Sequence, residues 1–175
     1  MDRRNCLGWL AGTMAAGVSA GFQRESFAQA GHAPGRDAPA IGADVELPSV
    51  RLLDGRELPA SHWKGKVVVI ELWATWCPFC ARQNPHLDKL HRAHRDRGLE
   101  VIALSIDSDP EVARRYVSER GYGFHAAMFD ERWQAAVGRP KGLPIVWAVG
   151  RDSKLARLEI GELFAEDIDD FAKLL

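Results

Sequence analysis

Two stretches of the chain are apolar at nearly every position, a density that no amphipathic element needs. Residues 67–73 read VVVIELW, interrupted only by Glu71, and residues 99–107 read LEVIALSID. Short β-branched runs of this kind are what a strand covered on both faces requires. Between them, residues 78–97 predict a helix with Leu87, Leu90 and His94 along one side and Pro85 inside it, where a kink is expected. Upstream, residues 45–66 alternate apolar and polar positions around the turn signal Asp54-Gly55 and predict a hairpin.

The second half continues the alternation. Asp109 is placed to cap a helix with Pro110 at its first position and Val112, Tyr116 and Val117 on one face. A short strand over 125–129 and a short helix over 131–137 follow. Then come the strands of GLPIVWAVG and LARLEIG, the latter closed by Gly161. A last helix carries Ile168, Phe171, Ala172 and Leu175 at i, i+3, i+4 and i+7. Early strand–helix alternation and a late hairpin plus helix predict an α/β fold, a mixed central sheet flanked by helices.

The first thirty residues break with this regularity. A basic start precedes a mildly apolar run from Leu7 to Ala20, too short for the roughly 20 residues of a membrane span. Ala28-Gln29-Ala30 has the small-x-small form of a cleavage site. Residues 1–30 therefore read as an export signal cleaved after Ala30, with an uncleaved membrane tether as the alternative. Arg3-Arg4 resembles the twin-arginine type, but Cys6 stands where that motif carries Phe or Leu, so the route is open between it and the general one. Residues 31–44, rich in Gly, Ala and Pro, read as a flexible linker to a single folded domain over 45–175. At 46% hydrophobic, 27% charged and net charge −1, the chain has no basic stripe for nucleic acid.

Export changes the meaning of the three cysteines, Cys6, Cys77 and Cys80. Cleavage removes Cys6 and leaves one closely spaced pair where disulfides persist. A loop that short gains little from being closed, so chemistry explains the pair better than stapling does. Cys77 sits at the start of the predicted helix, whose free N–H groups and positive dipole end favour a thiolate. Its pKa is expected to fall from about 8.5 towards about 7. Pro78 suits the first helical position, where its missing N–H costs nothing. Cys80, one turn on, is placed to resolve a mixed disulfide. Two metal readings compete. Zinc would need a second ligand pair that the sequence lacks. Copper(I) could use Cys77, Cys80 and His86 or His125, so no resident metal is expected but copper carriage stays open.

The block GKVVVIELWATWCPFC, Pro85 in the first helix, the Gly-Leu-Pro of residues 142–144 and Gly161 together resemble the thioredoxin superfamily. The resemblance runs from about Val45 to the C-terminus and is closest to the exported TlpA/ResA-like thiol-disulfide oxidoreductases. It implies a thioredoxin fold with an N-terminal hairpin extension and, between Asp107 and Gly142, the insertion that marks that group. It also implies a Cys77–Cys80 dithiol/disulfide as the sole redox group, with no further cofactor, in a periplasmic or otherwise exported protein. The implied activity is reduction of protein disulfides, of the cytochrome c maturation or copper-site assembly type. A membrane thiol-transfer protein would be the electron donor, and the chain a monomer. A DsbA-like oxidant, a Cu(I)-binding module and a redoxin-type thiol peroxidase are the alternatives. Cys77 lacks the Pro-x-x-x-Thr-x-x-Cys setting usual for a peroxidase.

By the same resemblance, Pro144 is a cis-proline beside the cysteines, and the Leu143 backbone offers strand-like hydrogen bonds to a polypeptide. Glu71, six residues before Cys77, stands where thioredoxins carry a buried aspartate that moves the proton of the second cysteine. Buried and unpaired, its pKa should rise into the range a proton acceptor needs. The thioredoxin lysine facing that carboxylate aligns with Ala103. Gln83 replaces the glutamate that TlpA/ResA-like proteins carry three residues after the second cysteine, which leaves the proton work to Glu71. Trp73 is expected to pack beneath the site. Trp76, Phe79 and Leu143 are expected to form an apolar rim for polypeptides, with Pro78 beside them. His91 and His94 read as a solvated helix face without a role.

Overall fold

The computed structural model describes residues 38–139 and 141–175. The expected export signal, with Cys6, and the first part of the linker lie outside the described residues. Strands β3 (Val67–Trp73), β4 (Leu99–Ser105) and β5 (His125–Met128) run parallel. β6 (Ile145–Val149) pairs antiparallel with β3, and β7 (Leu155–Ile160) antiparallel with β6, giving the order β5-β4-β3-β6-β7. Helices α1 (Pro78–His94), α2 (Pro110–Arg120) and α3 (Glu131–Val137) join these strands. After β7 comes α4 (Ala165–Asp169), which continues as a 3-10 turn over Asp170–Leu174. This is a thioredoxin fold.

The two apolar runs form the centre of the sheet, and every residue of β3 and β4 is buried. Successive side chains point to opposite faces, so each strand supplies two cores. Val67, Val69 and Trp73 join Val101, Leu87, Leu90, Ile168 and Phe171 on one side. Val68, Ile70 and Leu72 join Ile102, Leu104, Trp63 and Trp133 on the other. Asp109 caps α2 through the Glu111 amide, and Asp130 caps α3 through the amides of Arg132 and Trp133.

The hairpin is short, β1 (Val50–Arg51) against β2 (Glu57–Leu58). It covers the edge of β5, with Leu52 bridging Ala127 and the Leu53 amide donating to Ala126 O at 2.8 Å. Three expectations shift. Residues 42–44, read as linker, are tied to β7: Gly42 N donates to Leu155 O at 2.7 Å, Leu155 N to Ala43 O at 2.9 Å, and Lys154 pairs with Asp44 at 2.8 Å. In α2 the buried residue is Ala113, flanked by half-buried Tyr116 and Val117, while Val112 is 41% exposed at the edge of that stripe. In α1 the stripe is Gln83, Asn84, Leu87, Leu90 and His91, and His94 is where the helix yields to a 3-10 turn over Arg95–Arg97.

Candidate active site

β3 ends at Trp73, and after three intervening residues comes Cys77, the N-cap of α1, with Pro78 at the first helical position. The Cys77 and Cys80 sulfurs are bonded, with their Cα atoms 5.3 Å apart. The Cys80 amide also donates to the Cys77 sulfur at 3.2 Å, so a free N–H of the helix start already points at that atom. Both cysteines are buried, Cys77 at 3% exposure and Cys80 at 0%. Cys77 nevertheless lines an open groove of about 830 Å³, and Cys80 does not. Of the two, only Cys77 reaches the groove.

That groove brings the expected rim together. Trp76, Pro78, Phe79 and Leu143 line it, with Trp76 67% and Phe79 49% exposed. Arg82 stacks on the Phe79 ring at 4.9 Å and is itself held by two hydrogen bonds to Glu162, at 2.7 and 2.6 Å. The Leu143–Pro144 peptide is cis, preceded by Gly142 at φ 114°, a backbone conformation that favours glycine. Leu143 packs against the core cluster that contains both cysteines, and Pro144 O accepts from the Gly161 amide at 2.9 Å. Trp73 lies fully buried in that cluster, against Tyr116.

Glu71 sits in the middle of β3, opposite Ala103 and Val146, and is fully buried. Among the described residues it has no cationic partner. Burial pushes its carboxyl up to about 8, against the lowering effect of a hydrogen bond from Gln83 Nε2 to Oε1 at 2.8 Å. Gln83 is thus a ligand of the carboxylate, not a stand-in for one. Its own Oε1 accepts the Leu163 amide at 2.7 Å. Asn84, also fully buried, reaches both carboxyl oxygens, its amide nitrogen donating to Glu71 Oε2 at 2.6 Å, to Oε1 at 3.2 Å and to Cys80 O at 3.3 Å.

The Redoxin family matches residues 40–168. The chain belongs to the Redoxin family. The thiol-disulfide oxidoreductase ResA of Bacillus thuringiensis (strain Al Hakam) is 27% identical to this redoxin over 135 residues, 76% of this chain and 77% of that one. In structure it is similar to a thioredoxin-family thiol:disulfide interchange protein from Chlorobium tepidum TLS. That likeness has a TM-score of 0.70 at 19% identity and covers 78% of this chain and 98% of that one. A DsbF homologue from Corynebacterium diphtheriae gives a TM-score of 0.68 at 20% identity, covering 82% and 97%. The redoxin is a ResA-like thiol-disulfide oxidoreductase on a thioredoxin fold.

Sequence reasoning missed two groups in this redoxin. Asp107, just past β4, accepts from Thr75 N at 3.0 Å, Thr75 Oγ1 at 2.8 Å and Ser105 Oγ at 2.6 Å, and so fixes the loop that delivers Cys77. An acid at the carboxyl end of a buried strand was the available signal. The second group corrects the histidines. His91 is buried and its Nδ1 accepts from the Val101 amide at 3.2 Å, so it faces the core instead of solvent. It lies beside Glu100, which Lys66 reaches at 2.7 Å and His125 at 3.0 Å. His62, Glu100 and His125 have the donor set of a metal site, but the Lys66 ammonium stands among them, 3.3 Å from His62 Nε2. His125 pairs with Ile102, level with Ile70 of β3, and its ring reaches back to Glu100, level with Val68, whereas Cys77 follows the close of the parallel β3, so His125 points away from the cysteines. It cannot complete a copper set with them.

Proposed function

We propose that the redoxin is an exported reductant of protein disulfides that works with the Cys77–Cys80 pair alone as its redox group. In the reduced protein the Cys77 thiolate attacks one sulfur of a substrate disulfide; a new S–S bond forms to Cys77, and the other substrate sulfur leaves as a thiolate and takes a proton. Cys80 then gives its proton to Glu71 and attacks Cys77, which restores the Cys77–Cys80 disulfide and expels the second substrate sulfur as a thiolate that takes the proton back from Glu71. Two electrons pass to the substrate, with one proton from Cys80 by way of Glu71 and one from solvent. A dithiol donor in the membrane would reverse the exchange and reload the pair.

The observation that carries this reading is the difference in access: Cys77 lines the groove at a helix start, and the fully buried Cys80 is linked to the buried Glu71 through Asn84. Trp76, Phe79 and Leu143 give a polypeptide an apolar surface around the sulfur, and the Leu143 backbone gives it strand-like hydrogen bonds. The N-terminal segment, with its basic start and Ala28-Gln29-Ala30, supports export, and the resemblance to ResA supports substrates of the cytochrome c maturation or copper-site assembly type. The test is the reduction potential of the pair, equilibrated with glutathione buffers. A value near that of thioredoxin, about −270 mV, is expected for a reductant. A value near about −120 mV would make the protein an oxidant instead. Titration of the reduced protein with copper(I) separates carriage from exchange: tight one-to-one binding without disulfide turnover would replace this reading.

A further inference from the structure

The groove beside Cys77 is lined by more than its apolar rim. Arg139 and Lys141 line it as well, and among the described residues no carboxylate does. Both cations are exposed, and among the described residues neither has a carboxylate within ion-pair distance. Acids that neighbour the lining residues in sequence are engaged elsewhere: Asp107, next to Ile106, by Thr75 and Ser105, and Glu71, next to Leu72, by Gln83 and Asn84. The whole chain is close to neutral, with 24 acidic residues against 23 Lys and Arg, so the positive charge at the groove is local. The Arg139 guanidinium stands 6.0 Å from the centre of the Phe129 ring, an arrangement that leaves its N–H edge for a planar acceptor. Lys141 precedes Leu143 by two residues, on the segment whose backbone would pair with an incoming polypeptide.

We propose that this groove selects polypeptide disulfides flanked by acidic residues, with Arg139 and Lys141 receiving the carboxylates while Trp76, Phe79 and Leu143 cover the apolar part. The inference rests on the groove being where a polypeptide meets Cys77. An acid beside the target disulfide repels an attacking thiolate, since both are negative. Two unpaired cations in the groove offset that repulsion and steer the acidic segment in; a basic segment is turned away. Neutral polypeptides keep the apolar contacts and gain nothing from the charges.

The test uses synthetic peptides closed by one disulfide and identical except at two positions beside a cysteine, which carry Glu, Gln or Lys. Exchange is followed in both directions, reduced protein with oxidised peptide and oxidised protein with reduced peptide. Each rate is divided by that of the same peptide with dithiothreitol or its oxidised form, which removes the peptide's own reactivity. At low salt the Glu peptide should exchange about fivefold faster than the Gln peptide, with the Lys peptide slowest. Raising ionic strength from about 0.01 M to about 1 M shortens the screening length from about 30 Å to about 3 Å and should erase the order. With Arg139→Gln and Lys141→Gln together, the Glu-to-Gln ratio should fall below about twofold. Equal rates for the Glu and Gln peptides, or a ratio that survives the double substitution, overturns the proposal. A double variant that slows all three peptides by one factor would mean that the cations act on the Cys77 sulfur, and also overturns it. So does oxidised glutathione exchanging as fast as the Glu peptide, which would assign the cations to a small acidic disulfide. A Glu preference seen only with the oxidised protein keeps this inference and removes the reductant reading; no preference in a protein with a thioredoxin-like potential does the reverse.

Discussion

Cys77 and Cys80 differ in reach before they differ in chemistry. Because only Cys77 lines the groove, Cys80→Ser should leave attack intact and block its resolution. Mixed disulfides should accumulate on non-reducing gels of an exporting cell, whereas Cys77→Ser should trap nothing; equal trapping by both would mean that Cys80 is also reachable. Asp107→Ala should destabilise the oxidised protein by about 3 kcal/mol in urea unfolding, since hydrogen bonds from Thr75 and Ser105 to a largely buried carboxylate are lost. A change below about 0.5 kcal/mol would show that the loop is held by other means. The sequence made Cys77, Cys80 and Glu71 legible because each breaks a local pattern: sulfur in a chain with little of it, charge in an apolar strand. Asn84 breaks none, and Asp107 is marked only by its place just past a buried strand. A polar residue at a strand end or on a helix reads as solvated until the fold shows what it faces.

Elements were legible in proportion to how completely they are buried. β3 was bounded correctly by its apolar run alone, because strands covered on both faces admit almost nothing else. Helix faces were harder, since a stripe drawn from Val112 and a stripe drawn from Ala113 differ by one position, and a small residue at the contact carries no hydrophobic signal. The same holds for α1, where His91 lies on the apolar stripe. That stripe is what seats the helix on the sheet. Leu87→Ala, at a fully buried position of it, should cost about 3 kcal/mol by chemical denaturation. The cost should appear equally in the oxidised and reduced protein if the stripe is structural support; a cost confined to one redox form would mean that α1 moves between them.

Across the molecule, separate buried groups set opposite limits on pH. Burial would raise Glu100, but hydrogen bonds from His125 and Lys66, with the Lys66 charge, hold it down to about 2 against an ordinary 4.5. Its contribution is present above pH 4.5 and is lost as pH falls towards 2. Burial, helped by the His125 charge, pushes His91 down to about 4 from 6.5, so stability is also lost as pH falls through that interval and the unfolded chain takes up the proton. Glu71 runs the other way: raised from 4.5 to about 8, it favours the folded state most below 4.5 and progressively less as pH climbs towards 8. Melting temperature should therefore peak between these limits, and Glu71→Gln should flatten the alkaline side while leaving the acid side in place. Scanning calorimetry across pH checks this, and an alkaline side unaltered by the substitution would show that Glu71 is ionised when folded. Reduction, by contrast, should disturb the frame little. The Cys80 amide already points at the Cys77 sulfur while that atom is tied to its neighbour. Opening the bond delivers an anion to a donor that need not travel. A protein that must tell electron-loaded copies from spent ones then has scarcely any contour to go by, and has to sense the negative sulfur itself.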